Sequence, residues 1–153
     1  MKEIEIRAAR LDDPAVQKLV SEALADLSAR YGGGSGDDTP VAASDFEPPN
    51  GEFLVAVSDG ELVGSAAWRS HGDDAELKRM YTAPQARGRG LARRMLAAVE
   101  ASARAHSRGR LILECGNKQP EAIALYTSCG YERIANFGYY RNEPGVLSFG
   151  RDL

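Results

Sequence analysis

The feature that most constrains this chain is a change of hydrophobic period across one short glycine-bearing joint. Residues 75–82 (Ala75-Glu76-Leu77-Lys78-Arg79-Met80-Tyr81-Thr82) read as a strand that Pro84 closes. Leu91, Met95, Leu96 and Val99 then recur at helical spacing and place a long helix that stops at Gly109. Gln85-Ala86-Arg87-Gly88-Arg89-Gly90-Leu91-Ala92 lies between them. A helix start leaves its first N–H groups without intrahelical partners, and the helix dipole favours negative charge there. Glycines at 88 and 90 remove the β-carbons that would hold an anion away from those amides, and Arg87 and Arg89 add positive charge. The joint therefore predicts a strand–turn–helix with an anion site at its bend. It is not a dinucleotide fingerprint, because Arg93 stands where a third glycine or alanine is needed. The Gly-Lys-Ser/Thr ending of nucleotide hydrolases is also absent.

The rest of the chain is punctuated in the same way. Residues 2–8 alternate, with Ile4 and Ile6 opposite Glu3, Glu5 and Arg7, as in a half-buried strand. Asp13 and Pro14 open an amphipathic helix carrying Val16, Leu19, Val20, Ala23, Leu24 and Leu27, ending near Gly32. Residues 32–50 are rich in glycine and proline and fit no regular element; their acid pair, Asp37 and Asp38, reads as solvated loop charge more readily than as a lure for a cationic substrate. Strands at 53–57 and 62–69 flank the hairpin turn Asp59-Gly60. A strand at 111–115, a helix between Pro120 and Gly130, and strands at 131–134 and 146–149 complete the order. That order is strand, helix, three strands, helix, strand, helix, two strands.

At 153 residues the chain is expected to form one domain with a core that needs no metal or disulfide staple. A net charge of −3 argues against a general nucleic-acid or membrane-surface binder. The arginines at 87, 89, 93 and 94 remain the one route to a nucleic-acid contact, and the acidic balance opposes it. Cys115 and Cys129 have no metal-ligand spacing and read as reduced thiols, so no metal is expected. No segment has the length of a membrane span and the first residues lack a signal-peptide core, so a cytoplasmic location is expected.

Three blocks in the correct order resemble the GNAT superfamily of N-acetyltransferases. Gln85, Gly88 and Gly90 fill its Gln/Arg-x-x-Gly-x-Gly/Ala acyl-CoA signature. Residues 75–82 resemble its fourth strand, and Ala122-Ile123-Ala124-Leu125-Tyr126-Thr127-Ser128-Cys129-Gly130-Tyr131 resembles its A-x-x-L-Y-x-x-x-G-[FY] block. The likeness spans roughly residues 52–134, while the first fifty agree only in element order. It implies an α/β (α+β) three-layer fold with a central mixed, mostly antiparallel sheet of 6–7 strands flanked by about four helices. It implies acetyl-CoA as co-substrate and a small-molecule or peptide amine as acceptor. The pyrophosphate would sit on the amides of Arg87, Gly88, Arg89, Gly90, Leu91 and Ala92, and the pantetheine arm along Met80, Tyr81 and Thr82. Tyr126 matches the family tyrosine whose hydroxyl lies near the cofactor sulfur; a phenol near pKa 10 can protonate a departing thiolate. Many members carry an asparagine where this chain has Gln119, with Asn117 two residues earlier, so either residue is a candidate cofactor contact.

An alkylamine is mostly protonated at neutral pH, so attack needs a proton acceptor. Glu76 lies where some members place a catalytic glutamate, four residues before Met80, and even spacing would put both on one face of the strand. Glu114 is the competing base, and either could instead partner Lys78, Arg79 or Arg110. His71 and His106 read as a turn histidine and a helix-end histidine, Cys115 and Trp68 as core. Tyr139, Tyr140 and Arg141 could meet an acceptor from the far side. A non-catalytic acyl-CoA sensor on the same scaffold is the rival function. Oligomeric state is not encoded legibly, although a homodimer is the commonest assembly.

Overall fold

The computed structural model describes residues 3–153. Its elements are β1 (Glu5–Ala9), α1 (Pro14–Arg30), β2 (Gly51–Ser58), β3 (Glu61–His71), β4 (Asp74–Thr82), α2 (Leu91–Ala105), β5 (Arg110–Gly116), α3 (Pro120–Ser128), β6 (Glu132–Arg133) and β7 (Val146–Asp152). This is the order that the punctuation predicts. The first helix starts as its sequence requires: the Asp13 side chain accepts from the amide of Ala15 at 2.8 Å, and Pro14 takes the first helical position.

The seven strands lie in the order β1-β2-β3-β4-β5-β7-β6, antiparallel throughout except for β4 beside β5. Helices cover both faces. On one, Met95, Leu96 and Val99 of α2 and Tyr126 of α3 pack with Leu54, Ala66 and Trp68. On the other, Val16 and Val20 of α1 pack with Phe46, Phe53 and Val55. Burying apolar side chains on both faces stabilises each by about 1.5–3 kcal/mol and leaves little of the central strands wet.

Among the described residues there are three α-helices, not the four or so implied by the resemblance. Residues 32–50, rich in glycine and proline, hold only a four-residue 3-10 turn at Ala43–Phe46. No helix among the described residues is long and apolar enough to cross a membrane.

Two irregularities in β4 shape everything that follows. Its register against β3 shifts between Ser65 and Ala67, and Arg79 sits at φ 58°. That bulge sends Lys78 and Arg79, although adjacent, to the same carboxylate of Asp37. Strand alternation is lost there, so the even spacing of Glu76 and Met80 does not place them together. Met80 packs against the α2 side, whereas Glu76 bonds Arg69, which reaches Asp45 and the carbonyl of Pro40.

Candidate active site

β4 and β5 pair at only two positions, Ala75 with Leu111 and Glu76 with Ile112. Beyond these the bulged β4 bends away and the strands part, opening a cleft of about 1250 Å³. Met80, Tyr81 and Thr82 line one wall, with Glu114, Cys115 and Gly116 on the other. An extended chain entering here meets strand edges without ladder partners on that side, an arrangement suited to pairing like an additional strand.

At one end of the cleft stands the start of α2. Gly88 and Gly90 adopt φ of 79° and 74°, a left-handed conformation that costs a residue with a β-carbon roughly 1–2 kcal/mol. No side chain caps this helix and no acidic residue occupies its first turn. The first-turn amides are thus left for an acceptor from outside. A β-carbon built on Gly88 or Gly90 meets no protein atom within 4 Å, so the space in front of the amides is open. Arg87 donates to the Thr82 carbonyl at 3.0 Å, lies 6.0 Å from the Tyr81 ring centre and is 3.9 Å from Asp26. Arg89 is exposed, and Leu91 and Ala92 line the cleft. Arg93 is turned to α3, where it meets Ser128 at 2.8 Å and the Cys129 sulfur at 3.2 Å.

Tyr126 lies deeper. It is 5% exposed, its ring packed edge-on against Tyr131 and tilted against Phe149. Its hydroxyl bonds to none of the described residues, although the residue lines the cleft. Burial, and then the neighbouring Cys115, raise the phenol's pKa well above 10, which keeps it protonated. Burial likewise pushes the Cys115 thiol up to about 11, so it is no nucleophile at neutral pH. Asn117 and Gln119 both line the cleft. Asn117 is exposed, with its amide bonded to the Gly145 carbonyl at 3.0 Å. Gln119 occupies the N-cap position of α3 without capping it, and donates instead to the Tyr31 hydroxyl at 3.2 Å.

The two candidate carboxylates part company. Glu76 is 2% exposed, lies 3.0 Å from Arg69 and borders a separate small pocket with Ser44, Asp45 and His71. It does not line the cleft. Glu114 does. One of its oxygens accepts from the Tyr140 amide at 3.0 Å, and the other is sealed from solvent with no partner. A β-carbon on Gly138 would lie 2.3 Å from that second oxygen, so only a glycine leaves the carboxylate where it is. Burial first, and the charge of Glu76 among smaller causes, raise the Glu114 pKa above its ordinary value.

Two residues in the cleft wall carry roles that sequence reasoning missed. Asp37 belongs to a loop read as solvated, yet it meets Arg79 at 2.7 Å and Lys78 at 3.1 Å and accepts from the Tyr140 hydroxyl at 2.8 Å. Burial alone would raise its pKa; Lys78 and the bonds from Thr39 and Tyr140 outweigh that and hold it well below the carboxylate range. The adjacent cations of β4 were a signal, since paired charges in an otherwise apolar strand need a buried counterpart. Tyr31, at the end of α1, had none.

The chain is similar over much of its length to known acyltransferases. The family model described as "Acetyltransferase (GNAT) family" matches residues 20–131. An IAA acetyltransferase of Azospirillum brasilense is 40% identical over 107 residues, covering 69% of this chain and 70% of that protein. The crystal structure of a proposed acyl-CoA N-acyltransferase from Klebsiella pneumoniae superposes with a TM-score of 0.81 at 32% identity, over 98% of this chain and 97% of the other. A proposed streptothricin acetyltransferase of Bacillus anthracis, solved with acetyl coenzyme A, shares the fold at 16% identity and a TM-score of 0.65, over 76% of this chain and 70% of the other. With a splayed parallel strand pair, an uncapped glycine-flanked helix start and these relatives in agreement, the chain belongs to the GNAT family of acetyltransferases, enzymes that use acetyl-CoA to acylate an amine.

Proposed function

We propose that this protein transfers the acetyl group of acetyl-CoA to a primary amine by direct attack, with Glu114 accepting the amine proton and Tyr126 protonating the leaving thiolate. The observation that carries the reading is the continuity of the cleft. One wall-to-wall groove joins the open amides before α2, the free edge of β4, the unbonded Tyr126 hydroxyl and the half-satisfied Glu114 carboxylate. The amides of residues 87–92 would hold the pyrophosphate, and Met80, Tyr81 and Thr82 would pair with the pantetheine arm. Asn117 and Gln119 also line the cleft, and Gln119, while donating to Tyr31, keeps its side-chain carbonyl and second N–H for a ligand.

The atoms balance without a further reactant. The amine nitrogen bonds to the acyl carbon, the carbon–sulfur bond breaks, the amine proton passes to Glu114, and the thiolate takes the Tyr126 proton. Solvent later restores both groups. Glu76 has no part in this scheme: its carboxylate is held by Arg69 outside the groove.

The test is calorimetric titration with acetyl-CoA together with a thiol-release assay over a panel of amines. Saturable binding and amine-dependent thiol release are expected. Binding without release for any amine would identify a sensor, and absence of binding would remove the reading altogether.

A further inference from the structure

We propose that Tyr31 clamps the cofactor: carried from the end of α1 to the β5 wall, its ring lies across the pantetheine arm of acetyl-CoA and holds it in the cleft. This rests on the acetyltransferase reading and adds to its cofactor site a residue that lies outside every signature block.

Tyr31 does not earn its place as a core residue. It ends α1, is 36% exposed and belongs to neither hydrophobic cluster. The β5 wall is nevertheless shaped to receive it. A β-carbon built on Gly116 would overlap the Tyr31 hydroxyl and lie 2.6 Å from the ring carbon that bears it. Gly116 is not among the glycines with positive φ, so its own backbone does not call for glycine. The close approach of the tyrosine does.

The ring spans the two sides of the cleft. Helix α1 packs on β3 and β4, and its Ala23, Leu24 and Leu27 line the cleft. The contacts at the far end of Tyr31 belong to β5 and the start of α3. Gln119 donates to its hydroxyl at 3.2 Å, and the Lys118 ammonium stands 5.7 Å from the ring centre. The preceding residue makes a parallel link, Arg30 to Glu121 at 2.9 Å. Tyr31 therefore bars the gap that opens where β4 and β5 part. An arm paired with Met80, Tyr81 and Thr82 and running past Gly116 meets this ring, and the ring shields its methylene groups from water.

The bar is lightly held. Arg30 and Glu121 have side chains 30% and 71% exposed, and ion pairs so wetted contribute little. A β-carbon on Gly32, Gly33 or Gly34, the residues that follow, meets no atom within 4 Å, so the chain beyond the ring is not wedged in place. A ring that lifts to admit the arm and settles over it acts mainly on the rate of release.

Two ligands separate the arm from the rest of the cofactor: acetyl-CoA, and its 3′-phospho-ADP portion, which carries the same phosphates and no pantetheine. Each is titrated calorimetrically into wild type, Tyr31→Ala and Tyr31→Phe, and acetyl-CoA release is timed by stopped-flow displacement. Tyr31→Ala is expected to weaken acetyl-CoA about tenfold, chiefly through faster release, and to change the affinity for 3′-phospho-ADP by less than about twofold. Tyr31→Phe, which keeps the ring and loses only the bond from Gln119, is expected to lose less than about threefold. Unchanged acetyl-CoA release in Tyr31→Ala, equal weakening of the two ligands, or a loss in Tyr31→Phe as large as in Tyr31→Ala would each overturn the clamp and leave the acetyltransferase reading standing. A wild-type protein that binds neither ligand would end that reading, and the clamp with it.

Discussion

Glu114 and Glu76 show how far a single side chain's position can be inferred from spacing. Both stand on adjacent strands with apolar neighbours, and both suit proton transfer chemically. Only Glu114 lines the cleft, and burial has raised its pKa toward the range useful for a base at neutral pH. As the proposed base it would act only when ionised, so kcat/KM should fall as pH drops through a pKa above the ordinary 4.5. Glu114→Gln should abolish that acid limb and lower kcat about 100-fold or more, as read from a pH–rate profile with saturating acetyl-CoA. An unaltered acid limb in that variant would return the role to another group. Tyr126→Phe removes the hydroxyl and keeps the ring packed against Tyr131 and Phe149. It should lower kcat about 10-fold or more with little change in acetyl-CoA affinity, measured by pairing steady-state kinetics with calorimetry. The tyrosine's place was legible because it belongs to a contiguous helix pattern. The separation of Glu76 from Met80 was not, because the bulged residue between them, Arg79, breaks the alternation on which even spacing depends.

At the scale of elements, punctuation was a reliable guide. Asp13-Pro14, Asp59-Gly60, Pro84, Gly90, Gly109 and Pro120-to-Gly130 each mark a boundary at or near where the structure has one, because each acts through local backbone geometry or capping. The parting of β4 from β5 left no such mark. It follows from a positive φ at an arginine, and nothing in Lys78-Arg79-Met80 announces it. The start of α2 is the opposite case, since its glycines are both the signal and the device. Gly90→Ala should therefore act on the ligand more than on the fold. The left-handed φ of 74° costs alanine about 1–2 kcal/mol, while the new methyl group projects into space that the protein leaves open. Acetyl-CoA affinity should fall about tenfold or more by calorimetry, with the melting temperature lowered by only a few degrees. A variant with unchanged affinity would place the pyrophosphate elsewhere.

Over the whole molecule, the segment at 32–50 ties distant parts of the chain to the sheet. Asp37 joins the two cations of β4 to Tyr140, 103 residues away in sequence, and the Tyr140 amide in turn holds Glu114. No local pattern could disclose this, because the partners meet only once the sheet and the final loop are assembled. The same network makes acid-sensitive stability a property of the fold. The Asp37 pKa is lower folded than unfolded, so its contribution is complete above the unfolded value near 3.8 and disappears as pH falls through that value toward the folded one. Asp37→Asn would leave Lys78 and Arg79 buried without their anion, a change that typically costs about 3–5 kcal/mol when one partner of a buried pair is removed. If the 32–50 segment can undock and let water reach both cations, the loss is capped by the cost of undocking. The variant should melt about 6–12 °C lower at neutral pH for a loss near 3 kcal/mol. Its deficit relative to wild type should shrink as pH falls below about 4, where Asp37 of the unfolded wild-type chain takes up a proton that the folded carboxylate still refuses. A deficit that stays constant down to pH 2 would show that Asp37 contributes through packing or hydrogen bonding and not through its charge.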